Sequence, residues 1–296
     1  MHRLKNWQLF AICVLTWGTT WYAITFQLGH TAPEVGVALR FALAGASVLA
    51  FCAARGLRSR FAPGDHVVLA LQGLFMYGVS YLCVYHAERH VVSGLVAVGY
   101  SASPLVAGLG GHAFLGLRVS RRFVAGGLVG LVGVALMFWP EFGKAAGSQD
   151  AALGLAFTVG AVLLSSVGSL IATRNRSRGL SFWPSLGYGM LYGAAAAMVV
   201  ALQQAESFAL PTAMSWWLSL FYLALAGSVL TFACFLTLQE RVGPGRASAI
   251  SVMTPLLALT VSMIFEGFHP DVLTLAGAGL AVAGNVLMLR RTWRGR

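Results

Sequence analysis

The stretch "YLCVYHAERHVVSGLVAVGYSASPLV", residues 81–106, returns 151 positions later as "FACFLTLQERVGPGRASAISVMTPLL", residues 232–257. Cys83 meets Cys234, Gly94 meets Gly245, and Pro104 meets Pro255. The register continues without a gap. "HAFLGLRVSRRFVAGGLVGLVGVALM" lies over "MIFEGFHPDVLTLAGAGLAVAGNVLM", pairing Phe114 with Phe265, Gly116 with Gly267, Gly126 with Gly277 and Gly133 with Gly284. One such match is unremarkable in a chain rich in Ala and Gly. An ungapped register over two apolar segments and both adjoining loops identifies an internal repeat.

The segments that repeat have the composition of membrane spans. Of 296 residues, 58% are apolar and 10% charged, against roughly 25% charged in an average soluble domain. Apolar runs fall at approximately 7–27, 33–54, 66–86, 91–112, 122–140, 151–173, 183–203, 213–238, 244–264 and 271–289. Each is long enough, or nearly so, to cross a hydrocarbon core of about 30 Å as a helix. The opening "MHRLKNWQLFAICVLTWG" is basic and then apolar, but Trp17, Trp21 and Tyr22 follow in place of a small-residue cleavage site. It therefore reads as a retained first span.

Charge gives the direction of each span. Arg and Lys gather at one end of alternate connections: Arg3 and Lys5; Arg55, Arg58 and Arg60; Arg118, Arg121 and Arg122; Arg174, Arg176 and Arg178; Arg241; and Arg290, Arg291, Arg294 and Arg296. The opposite loops hold only Arg89 and Lys144. By the positive-inside rule both termini are expected in the cytoplasm, so the net charge of +11 records topology and not nucleic-acid binding. Five spans per half is an odd number, so the second half enters the membrane from the other side. The expected fold is an all-α polytopic membrane protein of ten transmembrane helices in two inverted five-helix repeats, residues 1–145 and 146–296. Inverted repeats recur in secondary transporters.

Soluble chemistry leaves little trace. The chain has no HExxH, GxSxG, P-loop or Rossmann glycine pattern, so no cofactor and no metal are expected. Cys13, Cys52, Cys83 and Cys234 lie inside apolar segments without a CxxC partner and read as small core residues. All nine acidic residues fall in or near connections, where helix-end solvation is the plain reading for most. The histidines of "HAERH", His86 and His90, would need a third converging group to hold a metal. Their twin segment has no histidine, so they remain candidates for gating or pH sensing at an outer turn.

The candidate cavity residues are polar or aromatic groups at mid-span. Arg40 in "GVALRFALAG" either snorkels outward or faces a cavity, where it would attract a carboxylate or another anion. Tyr77, Tyr81 and Tyr85 recur at i, i+4 and i+8 with Ser80 nearby, and Trp17 and Trp21 share a face of the first span. Tyr100, Ser103, Ser165, Ser228 and Ser251 add hydroxyls, either as packing or as cavity lining. Pro104 and its twin Pro255 each free a carbonyl at mid-span, as kinks or as hinges. Gly126, Gly130 and Gly133, with Gly277, Ala281 and Gly284, make smooth stripes for packing within the chain or for a homodimer seam.

These residues resemble the EamA-domain transporters of the drug/metabolite transporter superfamily. The resemblance is carried by the two five-helix halves, "LTWGTTW", "LRFALAG", the mid-span prolines and "FEGFHPDVLTLAGAGLAVAGNVLM". It implies a ten-helix inverted-repeat fold and a substrate cavity formed mainly by helices three, four, eight and nine, with one and six contributing. Members commonly keep a glutamate just after the fourth helix of a repeat; here it is Glu266 in the second half and Leu115 in the first. Glu266 is accordingly read as a structural or gate-edge residue.

The expected function is secondary transport, in the export direction, in a bacterial inner membrane, by alternating access and without a covalent step. The substrate class is small metabolites, amino acids first and aromatic or neutral hydrophobic ones favoured. Partners are the substrate and membrane lipids, with no nucleic acid, and the state is monomer or homodimer. The alternatives are export of other metabolites or drugs by proton exchange, and an integral-membrane enzyme acting on lipid.

Overall fold

A computed structural model describes residues 4–116, 119–143, 148–206, 208–242 and 250–289, and among them it contains helices and turns but no strand. The helices follow the expected spans. They are α1 (Asn6–Thr25), α2 (Pro33–Ala54), α3 (Pro63–Gly73, Leu74–Gly78 and Val79–Glu88) and α4 (Ser93–Gly99, Tyr100–Ala102 and Ser103–Leu115). Next come α5 (Arg121–Gly143), α6 (Ser148–Ser177), α7 (Phe182–Gln203) and α8 (Met214–Phe221, Tyr222–Leu230 and Thr231–Val242). The last two are α9 (Ile250–Phe265) and α10 (Val272–Leu289). Helices α2 to α8 are long and apolar enough to cross a membrane, while α9 and α10 are shorter apolar helices. The expected beginning of the ninth span, residues 244–249, lies outside the described residues.

Local chemistry sets the helix ends. Pro33 and Pro63 open α2 and α3, where a missing N–H costs nothing, and the Asp65 carboxylate accepts the Ala62 N–H at 3.3 Å. Gly116 and Gly267, paired by the repeat register, follow α4 and α9 with φ of 67° and 65°. A side chain is strained in that left-handed region, and glycine is not.

Among the described residues, two helices carry a π-wound segment at matching places. The middle of α3, Leu74–Gly78, is wound as a π-helix, and so is Tyr222–Leu230 of α8. The repeat register carries residues 74–78 onto 225–229, inside the second π segment.

The chain forms two compact units, and each draws on both sequence halves. The first comprises Met1–Tyr22, Ala87–Val162 and Thr231–Arg296; the second comprises Ala23–His86 and Leu163–Leu230. In the first unit α5 lies along α10 through the glycine stripes. A Cβ on Gly133 would come within 2.5 Å of the Ala281 nitrogen and the Gly277 oxygen, and one on Gly126 within 2.6 Å of the Gly284 oxygen. The stripe is therefore used within the chain. The α4–α9 joint in the same unit is polar: Glu266 accepts hydrogen bonds from the Ser93 hydroxyl at 2.7 Å and from Ser262, and Ser262 accepts the Gly94 N–H at 2.9 Å.

In the second unit α2 and α3 both pack on α7. A Cβ on Gly45 would meet the Gly187 oxygen at 2.8 Å, and one on Gly193 the Gly73 oxygen at 2.9 Å. Gly73 precedes the π segment of α3 and Gly78 ends it, so that segment runs directly over the α7 backbone.

Candidate functional site

Arg40 has the least expected environment in the second unit. Its side chain is 1% exposed, which rules out the outward-snorkelling alternative. The Nε group donates to the Ser228 hydroxyl at 3.2 Å, and that hydroxyl donates to the Leu223 carbonyl at 2.9 Å. The Leu223 bond spans five residues, so the π winding of α8 is what presents Ser228 to α2. The guanidinium carbon lies 4.7 Å from the Tyr81 ring centroid and 5.2 Å from that of Phe41. Among the described residues, no carboxylate lies within ion-pair distance of Arg40, and Nη1 is buried without a partner. A buried charge left this way is costly unless something else completes it.

The aromatic strip of α3 reaches this centre at Tyr81. Phe41 packs against Tyr77 at 5.4 Å and Tyr81 at 4.7 Å, so the two tyrosines do share a face. Tyr77 is fully buried, and its ring also meets α7 at Gly189. Ser80 is buried and donates to the Met76 carbonyl at 2.9 Å. Tyr85 donates to Gln27 at 2.9 Å. Ser165 is half-buried on α6. A buried amide pair, Asn175 to Gln72 at 2.9 Å, lies in the same unit.

The other candidates belong to the first unit. Trp17 packs against Phe232 at 5.4 Å and Phe235 at 5.2 Å, and Trp21 against Tyr100 at 5.1 Å. Ser103 donates to the Tyr100 carbonyl at 2.7 Å. A small cavity is lined by Val98, Ser101, Ser251, Pro255, Leu256 and Asn285, among others. Asn285 donates to the Ser101 and Ala281 carbonyls at 3.2 and 3.0 Å, while the buried Ser101 hydroxyl has no partner among the described residues.

The two prolines are not equivalent. Pro255 sits inside α9, where its missing N–H leaves the Ser251 carbonyl without a helix bond. Pro104 sits in the first turn of the α4 segment that follows the 3-10 turn Tyr100–Ala102. Its missing N–H falls where the helix has already been broken.

His86 and His90, at the turn between α3 and α4, each take a separate carboxylate. His86 Nε2 lies 2.8 Å from Glu34 in the second unit, and His90 Nδ1 lies 2.8 Å from Asp150 in the first. No group of three or more His, Cys, Asp or Glu that would hold a metal occurs among the described residues. Glu34 corrects the expectation of helix-end solvation, since it is 1% exposed. The sequence reading also passed over Gln72, Asn175 and Asn285. Each is an amide within or beside an apolar segment, and that contrast is the signal that marks them.

A family profile described as "EamA-like transporter family" matches residues 6–139 and 152–290. The "Uncharacterized inner membrane transporter YedA" of Escherichia coli (strain K12) is 26% identical, covering 95% of this chain and 89% of its own. The "Probable terminal-alkyne amino-acid exporter" of Streptantibioticus cattleyicolor is also 26% identical, over 97% of this chain and 93% of its own. A solved crystal structure superposes with a TM-score of 0.71 at 21% identity, covering 97% of this chain and 98% of the other, and so shares the fold.

Proposed function

The chain belongs to the EamA-like transporter family, and from that premise we propose that it is a secondary transporter that exports small carboxylate-bearing metabolites by alternating access. Amino acids are the leading class, with aromatic and neutral hydrophobic ones favoured. The observation that carries this reading is Arg40. A membrane transporter keeps a buried guanidinium without a counter-charge where a substrate anion supplies one. Tyr77, Tyr81, Trp17, Trp21, Tyr100, Ser80, Ser103, Ser165, Ser228 and Ser251 are the further candidates for substrate contact. Pro104 and Pro255 are the candidate hinges.

The chain is a multi-pass membrane protein, and ten spans in two inverted halves are the topology we assign to it. Support comes from the two separate family matches, the equal left-handed φ at Gly116 and Gly267, and the two π segments in register. The alternating basic connections support cytoplasmic termini in a bacterial inner membrane. Neither an enzymatic step nor nucleic-acid binding forms part of this reading, and the chain acts as a monomer or homodimer. Proton exchange is the second reading, and the observation behind it is the buried Glu34 with its His86 partner.

Purified protein in liposomes, given labelled amino acids with and without an imposed pH gradient, tests both readings. Saturable uptake that survives collapse of the gradient is the expected result and removes obligatory proton exchange. No amino-acid flux in protein verified as inserted would remove the leading substrate class.

A further inference from the structure

Arg40 carries a full positive charge, and its surroundings define what kind of charge its ligand brings. The Nε edge is used by Ser228, whose own proton goes to the Leu223 carbonyl. Neither Nη nitrogen donates to a described residue, so the free edge of the guanidinium is the Nη1–Nη2 fork. Two parallel N–H donors in that geometry match an anion with two coplanar oxygens, a carboxylate above all.

A zwitterion would also bring an ammonium, and the second unit has little to receive it. Its three carboxylates are Glu34, Asp65 and Glu206. Glu34 is held by His86, Asp65 caps the start of α3 at Ala62, and Glu206 lies just beyond the end of α7. Cation-π contact is the other means of holding an ammonium. The rings of Phe41 and Tyr81 already carry the Arg40 guanidinium, and Tyr77 is buried against Phe41 and α7.

We propose that the preferred transported species is a net monoanion, a carboxylate whose amino group is absent or acylated, ahead of the zwitterionic amino acid. This rests on the transport reading above and on Arg40 as the group that meets the carboxylate. A monoanion brings the buried centre to zero net charge. Beside Arg40 a zwitterion brings an ammonium that no carboxylate of the second unit is placed to receive, a loss that hydrogen bonds to hydroxyls do not return.

The test uses the full chain in liposomes at pH 7.5, with protein-free liposomes as the blank. Four labelled solutes share one ring: phenylalanine, N-acetylphenylalanine, 3-phenylpropionate and phenethylamine. At subsaturating concentration, where entry follows relative affinity, the two monoanions are expected to enter about tenfold or more faster than phenylalanine. Phenethylamine should stay at the blank. R40Q should bring both anions close to the blank. S228A, which keeps the charge and loses only its orienting partner, should slow the anions and leave their order unchanged.

Stabilisation of detergent-solubilised wild-type protein by each solute supplies a readout that needs no variant, and the same order is expected. Phenylalanine moving and stabilising as well as N-acetylphenylalanine would overturn the monoanion inference and leave transport standing. Stabilisation by the anions without flux of any solute would overturn the transport reading and keep the anion site. No effect of any solute in either readout would remove both.

Discussion

Arg40 and Ser228 stand 188 positions apart and meet through one hydrogen bond. Removing the hydroxyl in S228A would leave every nitrogen of a buried guanidinium without a partner among the described residues. A lost bond to a charged buried group costs about 1–3 kcal/mol. The thermal midpoint of detergent-purified S228A should therefore fall, and a midpoint equal to that of the wild type would mean that the bond holds nothing. Arg40 itself is legible from sequence, because a charge inside "GVALRFALAG" contrasts with its neighbours. Its partner is not legible, because a serine in an apolar helix has no feature that points to a residue on another helix. Glu34 misleads for the opposite reason. An acid in a first helical turn reads as solvated, and only the fold brings His86 to it and removes both from most of the solvent.

At the scale of helices, glycine spacing carries more information than any polar residue. The stripe on α5 announces close packing, and the structure separates its members. A Cβ on Gly133 would sit 2.5 Å from backbone atoms of α10, whereas one on Gly130 has only the Ala281 oxygen nearby, at 3.8 Å. G133A is expected to destabilise by about 1–3 kcal/mol through overpacking against a backbone that cannot yield. G130A should be neutral or gain up to about 1 kcal/mol from helix propensity. Thermal denaturation of the two variants side by side checks the contrast, and equal behaviour would refute the close α5–α10 approach. The π segments were not legible. Extra winding is set by what the helix must pass over, here Gly189 and Gly193 under α3, and a 3.6-residue pattern does not encode it. The twin prolines show the same limit. Pro104 and Pro255 match in register, but the 3-10 turn at Tyr100–Ala102 gives the first of them a different backbone setting.

For the whole molecule, the proposed repeat and the compact units divide the chain along different lines. Residues 1–145 contain α1 to α5, yet Gly126 and Gly133 of α5 meet α10, and Gly45 of α2 and Gly73 of α3 meet α7. A shift of 151 residues reveals which segments are alike and not which are in contact, so span limits were readable while the pairing of α5 with α10 and of α2 with α7 was not. Neither half holds a complete unit. The first unit needs α4 and α5 together with α9 and α10, and its α4–α9 joint closes through Ser93 on one half and Glu266 on the other. Residues 1–145 or 146–296 expressed alone should therefore be degraded or aggregate on extraction, with exposed glycine seams and an uncapped Ser93 or Glu266. Coexpressed, the two pieces should copurify in equal amounts, because the contacts that complete each unit are noncovalent and helix insertion precedes helix association in a bilayer. A single half that remains monodisperse in detergent and withstands proteolysis would show that a five-helix repeat is a folding unit by itself, and the partition into two mixed units would then not govern stability.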